Sequence, residues 1–412
     1  MTPAPGAALP HPLLREGLRL FFPATALYAM LLPLIWVTLQ GFALPFAEGI
    51  PAAQWHAHEM IFGVYGAALA GFLTSAVPEW TDTRPRHGRD LVILLALWLP
   101  GRVVGLLGIE LMVPFAAVTD VAFFGLLLWY VLTALIARGS TRHASFAGWL
   151  GLFVLVELAL RVAWLTGHID LAGRLLQAAL MIFLVFFSLA VARINVVVIN
   201  LALDPSGGST PYRPHPGRQN LTAILVSLYA AAALAFPQSQ VPAYLALAAA
   251  AAFFDRLGEW FIGMAVLRSH VLALAFANGF AGCGFLLVGL SGLGAPIAPA
   301  TGLHALAVGG LGLGVLGVLI IAGLRHTGRP LDLPWQAHAA LGLMAAAALV
   351  RLLPELGLAP ALLGAHYAVS AALWSAAFAV WLAGFLPLLL HPVTVAAADH
   401  AAGCSVGGPD AP

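Results

Sequence analysis

The sequence predicts an all-α polytopic membrane protein of about twelve transmembrane helices, with both termini cytoplasmic. Three observations predict it. Of the 412 residues, 61% are hydrophobic and only 8% charged, against about 25% charged in a soluble domain, and the mean hydropathy is +0.96. The apolar residues gather into segments of the roughly 20 residues that a helix needs to cross the hydrocarbon core. The arginines alternate between successive loops. The near-neutral net charge of +1 gives no reason to expect nucleic acid as a partner.

Taken in order, the segments fall at 24–44, 58–78, 91–109, 114–137, 146–166, 173–201, 221–236, 242–262, 270–291, 303–324, 336–354 and 361–390. The seventh is short and bounded by Pro237, and the last is long enough to kink at Pro387. The chain contains no lysine, so arginine alone reports the cytoplasmic side, where basic loops concentrate. Arg15 and Arg19 precede the first span; Arg84, Arg86 and Arg89 follow the second, and Arg138 and Arg142 the fourth. Arg213 and Arg218 follow the sixth, Arg268 the eighth, and Arg325 and Arg329 the tenth. With an even number of spans, all of these share one side. Met1 to Phe22 does not read as a cleaved signal, because its charges precede a full-length span. Cys283 lies in an apolar run and Cys404 in the polar tail, which is no disulfide framework.

The whole chain, 1–412, reads as a single transmembrane domain. Its longest linker, 204–220, contains Ser-Gly-Gly and several prolines and separates six-helix halves at 24–203 and 221–390. No internal sequence repeat relates the halves. The glycines from Gly309 to Gly317 suit close packing of membrane helices; close approach to a flat cofactor is the sharper alternative.

The most informative stretch is Trp55-His56-Ala57-His58-Glu59-Met60, at the mouth of the apolar segment Ile61 to Val77. Histidine is the commonest metal ligand, and ionisable groups beside a bilayer are costly and usually functional. The expected topology puts His56, His58, His168, His304 and His366 at the outer end. His270, His326, His338 and His391 fall at the inner end. His11, His87, His143, His215 and His400 lie in tails or basic loops and read as solvated. Two positions apart on a helix point about 200° apart, so a helical His56 and His58 serve different partners. On an extended segment they share a face and can clasp one ion. Pro51 favours the extended approach, with helix onset near His58. The plainer alternative is a pair of interfacial residues capping a helix, with Glu59 favourable at its N-terminus. Imidazole suits copper, iron and zinc, and a haem in a bundle takes axial histidines.

Charges inside the spans form a second class. Glu157 and Arg161 are four apart on one helical face and can simply pair. Asp120 lies in the fourth span, Arg193 in the sixth with Asn195 and Asn200, and Asp255, Arg256 and Glu259 near the inner end of the eighth. Glu59, Asp120 and Glu157 are the candidate proton-relay groups. Arg161 and Arg193 are candidates to neutralise haem propionates.

Several blocks together resemble the NnrS family of bacterial inner-membrane proteins. They are Trp55 to Gly63 with Ala70-Gly71-Phe72-Leu73-Thr74 and Val77-Pro78-Glu79-Trp80-Thr81; Leu97-Trp98-Leu99 with Gly101-Arg102; His304 to Gly310 leading to Arg325-His326-Thr327-Gly328-Arg329-Pro330-Leu331; and Ala372-Leu373-Trp374 to Leu386-Pro387. The resemblance implies a haem, b-type, and copper, with a role in nitric oxide metabolism and resistance to nitrosative stress, as in denitrifying bacteria. By motif it carries His56, His58, His304 and His326 over as cofactor or metal positions. The region Asp255 to Phe280 departs from the family pattern: a histidine is expected near Ala273, and His270 stands one turn earlier, the substitute metal ligand. The loop Thr83 to Arg89 carries more charge than the pattern. His326 is expected at the opposite membrane surface from His56, and a core roughly 30 Å thick forbids one compact site using both.

The function so implied is binding, detoxification or reduction of nitric oxide at an outer-leaflet histidine site. Its partners would be nitric oxide, the lipid bilayer, and an external electron donor for turnover, since the chain has no Cys-x-x-Cys-His haem motif; a homo-oligomer is compatible with it. Two other readings are a non-catalytic nitric oxide sensor or scavenger, and a secondary transporter using intramembrane Arg and Glu.

Overall fold

A computed structural model describes residues 11–39, 50–139, 141 and 143–391. Arg142, His400 and Cys404 lie outside the described residues. All regular structure among them is helical. The long helices are α1 (Gly17–Leu39), α2 (Ala52–Thr81), α3 (Arg89–Leu107), α4 (Val113–Ala137), α5 (Ala144–Leu165), α6 (Ile169–Leu203), α7 (Pro216–Ala235), α8 (Val241–Arg256), α9 (Ser269–Gly292), α10 (Pro299–Arg325), α11 (Trp335–Leu352) and α12 (Ala365–Leu390). They correspond one for one to the twelve expected segments. Ten are long and apolar enough to cross a membrane; α7 and α11 are the other two. The start of α7 carries Arg218, Gln219 and Asn220, and α11 carries Gln336, His338 and Arg351, which dilute their apolar character.

Local sequence explains the ends. Proline, already fixed in φ and lacking an N–H, stands in the first turn of α4, α7, α8 and α10. Left-handed residues stop α2 at Asp82 (φ 47°) and α3 at Gly108 (φ 61°). The largest shift from expectation is at α2. Pro51 caps it with extended backbone, and helix begins at Ala52 rather than near His58.

Sequence neighbours pack from α3 through α9 in turn, α10 packs on α9 and α11, and α1 joins α12 to α2. Two helices occupy the middle. In their most apolar 18-residue windows, α2 is 89% buried and α10 is 83%, against 33% for α3, so protein rather than lipid surrounds this pair. Both are interrupted in the same way. A short α-helical entry ends at a histidine, His58 or His304, and passes into a π-helical stretch, Glu59–Tyr65 in α2 and Ala305–Gly312 in α10. π-Helix is rare and concentrates at functional sites. Tyr65 donates its hydroxyl to the Ala307 carbonyl at 2.6 Å, tying one π segment to the other. Glycines here make room for aromatic rings: a Cβ on Gly66 would come within 2.7 Å of Phe124, one on Gly309 within 2.5 Å of Phe280, and one on Gly312 would strike Trp374. Close packing, the plainer of the two expectations for the glycine run, is what these contacts describe.

Candidate functional site

His56 and His58 both lie on the helical turn Ala52–His58, so their rings diverge. His58 points into a buried acid–base cluster. Its Nδ1 lies 2.9 Å from Glu59 Oε1 and its Nε2 3.1 Å from Glu157 Oε1 and 2.7 Å from an Arg161 nitrogen. His56 turns toward α1 and stacks on Trp36 with ring centres 4.5 Å apart. One residue of separation therefore sends two imidazoles to two different sites.

Five helices build the cluster. From α3, Arg102 clamps Glu59 with Nε on Oε2 at 2.5 Å and a terminal nitrogen on Oε1 at 3.1 Å, while also reaching Asp120 Oδ2 of α4 at 3.0 Å. From α5, Arg161 donates to Glu157 Oε1 at 2.7 Å and to Asp120 Oδ2 at 2.5 Å. Tyr28 of α1 donates to Glu59 Oε2 at 2.5 Å. All the charged members are buried, where an ion persists only when paired. Glycine makes the approach feasible: a Cβ on Gly101 would stand 2.5 Å from Asp120 Oδ2, and one on Gly105 2.5 Å from Trp55 Nε1.

Three carboxylates here face two guanidiniums. The cluster is electrically neutral when it holds one further proton, and His58 is flanked on both nitrogens by carboxylate oxygens that can share it. With a neutral ring, Nε2 can accept from Arg161; with a charged ring it can donate to Glu157. Asp120 Oδ1 and Glu157 Oε2 have no protein hydrogen-bond partner. A cavity of about 30 Å³, lined in part by Trp55, His58, Glu59, Gly101, Arg161 and Trp164, offers room for about one water at the edge of the cluster. His58, Asp120 and Glu157 also present ligand atoms within 4.8 Å of one another, although the two arginines already supply their counter-charge.

A second group of side chains lies at the entrance of α10. His304 ends the entry turn of that helix, as His58 ends the entry turn of α2. His304 Nδ1 lies 2.7 Å from the Ala300 carbonyl and 3.3 Å from an Arg351 nitrogen; in the tautomer that donates to the shorter, carbonyl contact, Nε2 presents a lone pair. His56 Nδ1 is buried with no hydrogen-bond partner. Two imidazole lone pairs at the entrances of the two central helices, one of them an orphaned buried nitrogen, are a donor set that fits haem iron or copper. Behind His304, Glu355 forms an ion pair with Arg351 (3.3 Å), accepts from Thr301 (3.4 Å) and Tyr367, and lies 3.2 Å from His366 Nε2. The Tyr367 hydrogen bond, against the opposing effect of burial, holds the Glu355 carboxyl below its ordinary range.

The remaining candidates lie elsewhere. His326 is at the far end of α10, its Nδ1 2.6 Å from Glu16 and 3.6 Å from Glu79. Burial lowers its pKa, but the Glu16 hydrogen bond and charge outweigh this and raise it above the ordinary histidine value. His270 opens α9, whose 24 residues span about 36 Å at 1.5 Å per residue before the loop leading to His304. Arg193 stacks over Trp80 at 4.5 Å and bonds His143 at 2.6 Å. His143, expected in solvent, is instead buried against the other side of that contact, its ring 5.0 Å from Trp80, because an apolar aromatic wall at the end of α2 covers it. His168 and His215 take local roles at helix starts, beside Thr166 and the Arg218 amide. The sequence reading did not single out Tyr28, Arg351 or Glu355, and noted Arg102 only as a motif residue. An arginine near the middle of a span was the available signal for Arg102, since it demands a counter-ion.

A family model described as NnrS protein matches residues 12–392. No curated protein and no solved structure matches the chain.

Proposed function

Since the match covers nearly its whole length, the chain belongs to the NnrS family, and on that premise we propose that it is a haem- and copper-containing protein of the bacterial inner membrane that acts on nitric oxide. The observation that carries this is the placement of His56 and His304 in the entry turns of the two central, π-interrupted helices, which the Tyr65–Ala307 hydrogen bond ties together. These two residues would hold the metal. When bound, the metal would supply a coordination position for nitric oxide and a place for an electron. The His58 cluster would hold and move the proton: between Nε2 and Glu157, with Glu59 and Asp120 fixing the arginines that set the cluster's charge. The arginine pattern of the loops, read as cytoplasmic, would put this end of the bundle on the outer side. Reduction of nitric oxide would draw electrons from an external donor.

An optical spectrum with metal analysis of the purified protein tests the reading. Haem and copper should be present, the spectrum should shift with nitric oxide, and His56→Ala or His304→Ala should remove the imidazole-ligated signal while His58→Ala retains it. A spectrum with neither metal would sink the proposal, and substrate flux in metal-free proteoliposomes would favour a transporter. Consumption of nitric oxide with a defined donor separates turnover from binding by a sensor or scavenger.

A further inference from the structure

A cavity of about 470 Å³ lies at the opposite end of the bundle from His56, between α2, α3 and α4. Its two walls differ. The rim carries Arg84, Arg86, His87, Arg89 and Asp90, from the turn after α2 and the start of α3. The depth is apolar, formed by Leu73 and Val77 of α2 and Leu127, Val131 and Ala134 of α4. Three arginines thus face one aspartate, and that aspartate is 3.4 Å from Arg86. Among the described residues, Arg84 reaches His87 at 2.9 Å, and the nearby Asp82 is taken by Arg138. Among the described residues that line it, the excess charge is positive.

Two features make this a built site. Arg86 is held in place, its guanidinium 4.3 Å over the Tyr130 ring and 3.0 Å from Thr133 Oγ1. The N-terminus of α3 opens at the rim behind Gly88 (φ 58°) with no side-chain cap, so its first amides remain available to an anion and add their partial positive charge. A basic rim over an apolar wall at one end of a membrane bundle matches an amphiphile with a negative head. Basic pockets between transmembrane helices bind anionic lipid headgroups in this manner.

We propose that this cavity is a binding site for an anionic glycerophospholipid, its phosphate held by Arg84, Arg86, Arg89 and the start of α3, and an acyl chain lying along Leu73, Val77, Leu127 and Val131. The site is independent of the metal centre and of nitric oxide chemistry. A free phosphate shares the head chemistry but leaves the apolar wall unused.

Native mass spectrometry of the full chain in a neutral detergent decides between them. The probes are phosphatidylglycerol, phosphatidylcholine with the same chains, and inorganic phosphate as competitor. Each arginine near a membrane surface contributes roughly a fivefold gain for an anionic lipid, so Arg84→Gln/Arg89→Gln should lose about 25-fold in phosphatidylglycerol retention and approach the phosphatidylcholine value. Arg213→Gln/Arg329→Gln, which removes two arginines from other loops, should retain the preference. If the first double variant fails to fold, the single variants Arg84→Gln and Arg89→Gln should each lose about fivefold. A phosphatidylglycerol preference that survives in these variants, or falls equally in the control, overturns the site. Full displacement of the lipid by millimolar phosphate overturns the lipid as its occupant.

Discussion

The Tyr65 hydroxyl donates to the Ala307 carbonyl across the interface of α2 and α10. This single bond joins the π-helical segment that follows His58 to the one that follows His304. Tyr65→Phe removes this half-buried hydrogen bond, a cost of about 0.5–1.5 kcal/mol. The expected result is a lower thermal midpoint together with a broadened metal spectrum, because the bond lies within a few turns of both His56 and His304. A stability loss with an unaltered spectrum would separate the tyrosine from the site.

Arg102 is the clamp on Glu59 and Asp120. Arg102→Met removes the guanidinium shared by two buried carboxylates, leaving Asp120 to Arg161 and Glu59 to Tyr28 and His58, and should destabilise by about 3 kcal/mol. Arg102→Lys keeps the charge but not the two-pronged grip on Glu59, and should fall between. Combined with Glu59→Gln, the loss should be smaller than the sum of the two single changes, since the residues act as one unit. Additive losses in denaturant titrations would refute the clamp.

Gly101→Ala places a methyl group 2.5 Å from Asp120 Oδ2. Overpacking of this kind costs about 1–3 kcal/mol. The same substitution in an Asp120→Ala background should cost distinctly less, because the atom it strikes is gone. Thermal midpoints of the four proteins complete the cycle.

His326 gives a pH dependence with a definite sign. Its folded pKa is raised through Glu16, so its contribution to stability is full below the ordinary histidine value near 6.5 and is lost as pH rises through the folded value. Glu16→Gln should flatten this part of the stability profile, measured by thermal melting across neutral pH. A profile unchanged by Glu16→Gln would rule out the pair as its source.

The spans were legible because length and apolarity are local properties: eleven of the twelve expected starts fall within six residues of the observed ones, and α1, starting at Gly17 rather than 24, is the exception. The direction of a side chain is less local. Pro51 suggested an extended entry, yet proline just before a helix also suits its cap, and here helix wins from Ala52 onward. The i, i+4 pair Glu157 and Arg161 could be read from spacing alone, and it forms at 2.7 Å. Arg102 could not be placed the same way, since its partners stand 18 and 43 positions away on other helices. His143 was misread for a similar reason: Trp80, which covers it, is remote in sequence and near only in the fold.

The seclusion of α2 and α10 has a mechanical consequence. When bilayer thickness changes, helices that touch lipid tilt or bend to match it. Here that adjustment falls on the surrounding helices, such as α3, whose window is only 33% buried, while the two central helices meet mainly protein. The spacing of His56 and His304 is then set by the Tyr65–Ala307 contact and the packing around it rather than by the membrane. A chain built this way keeps its centre in register across membranes of different thickness.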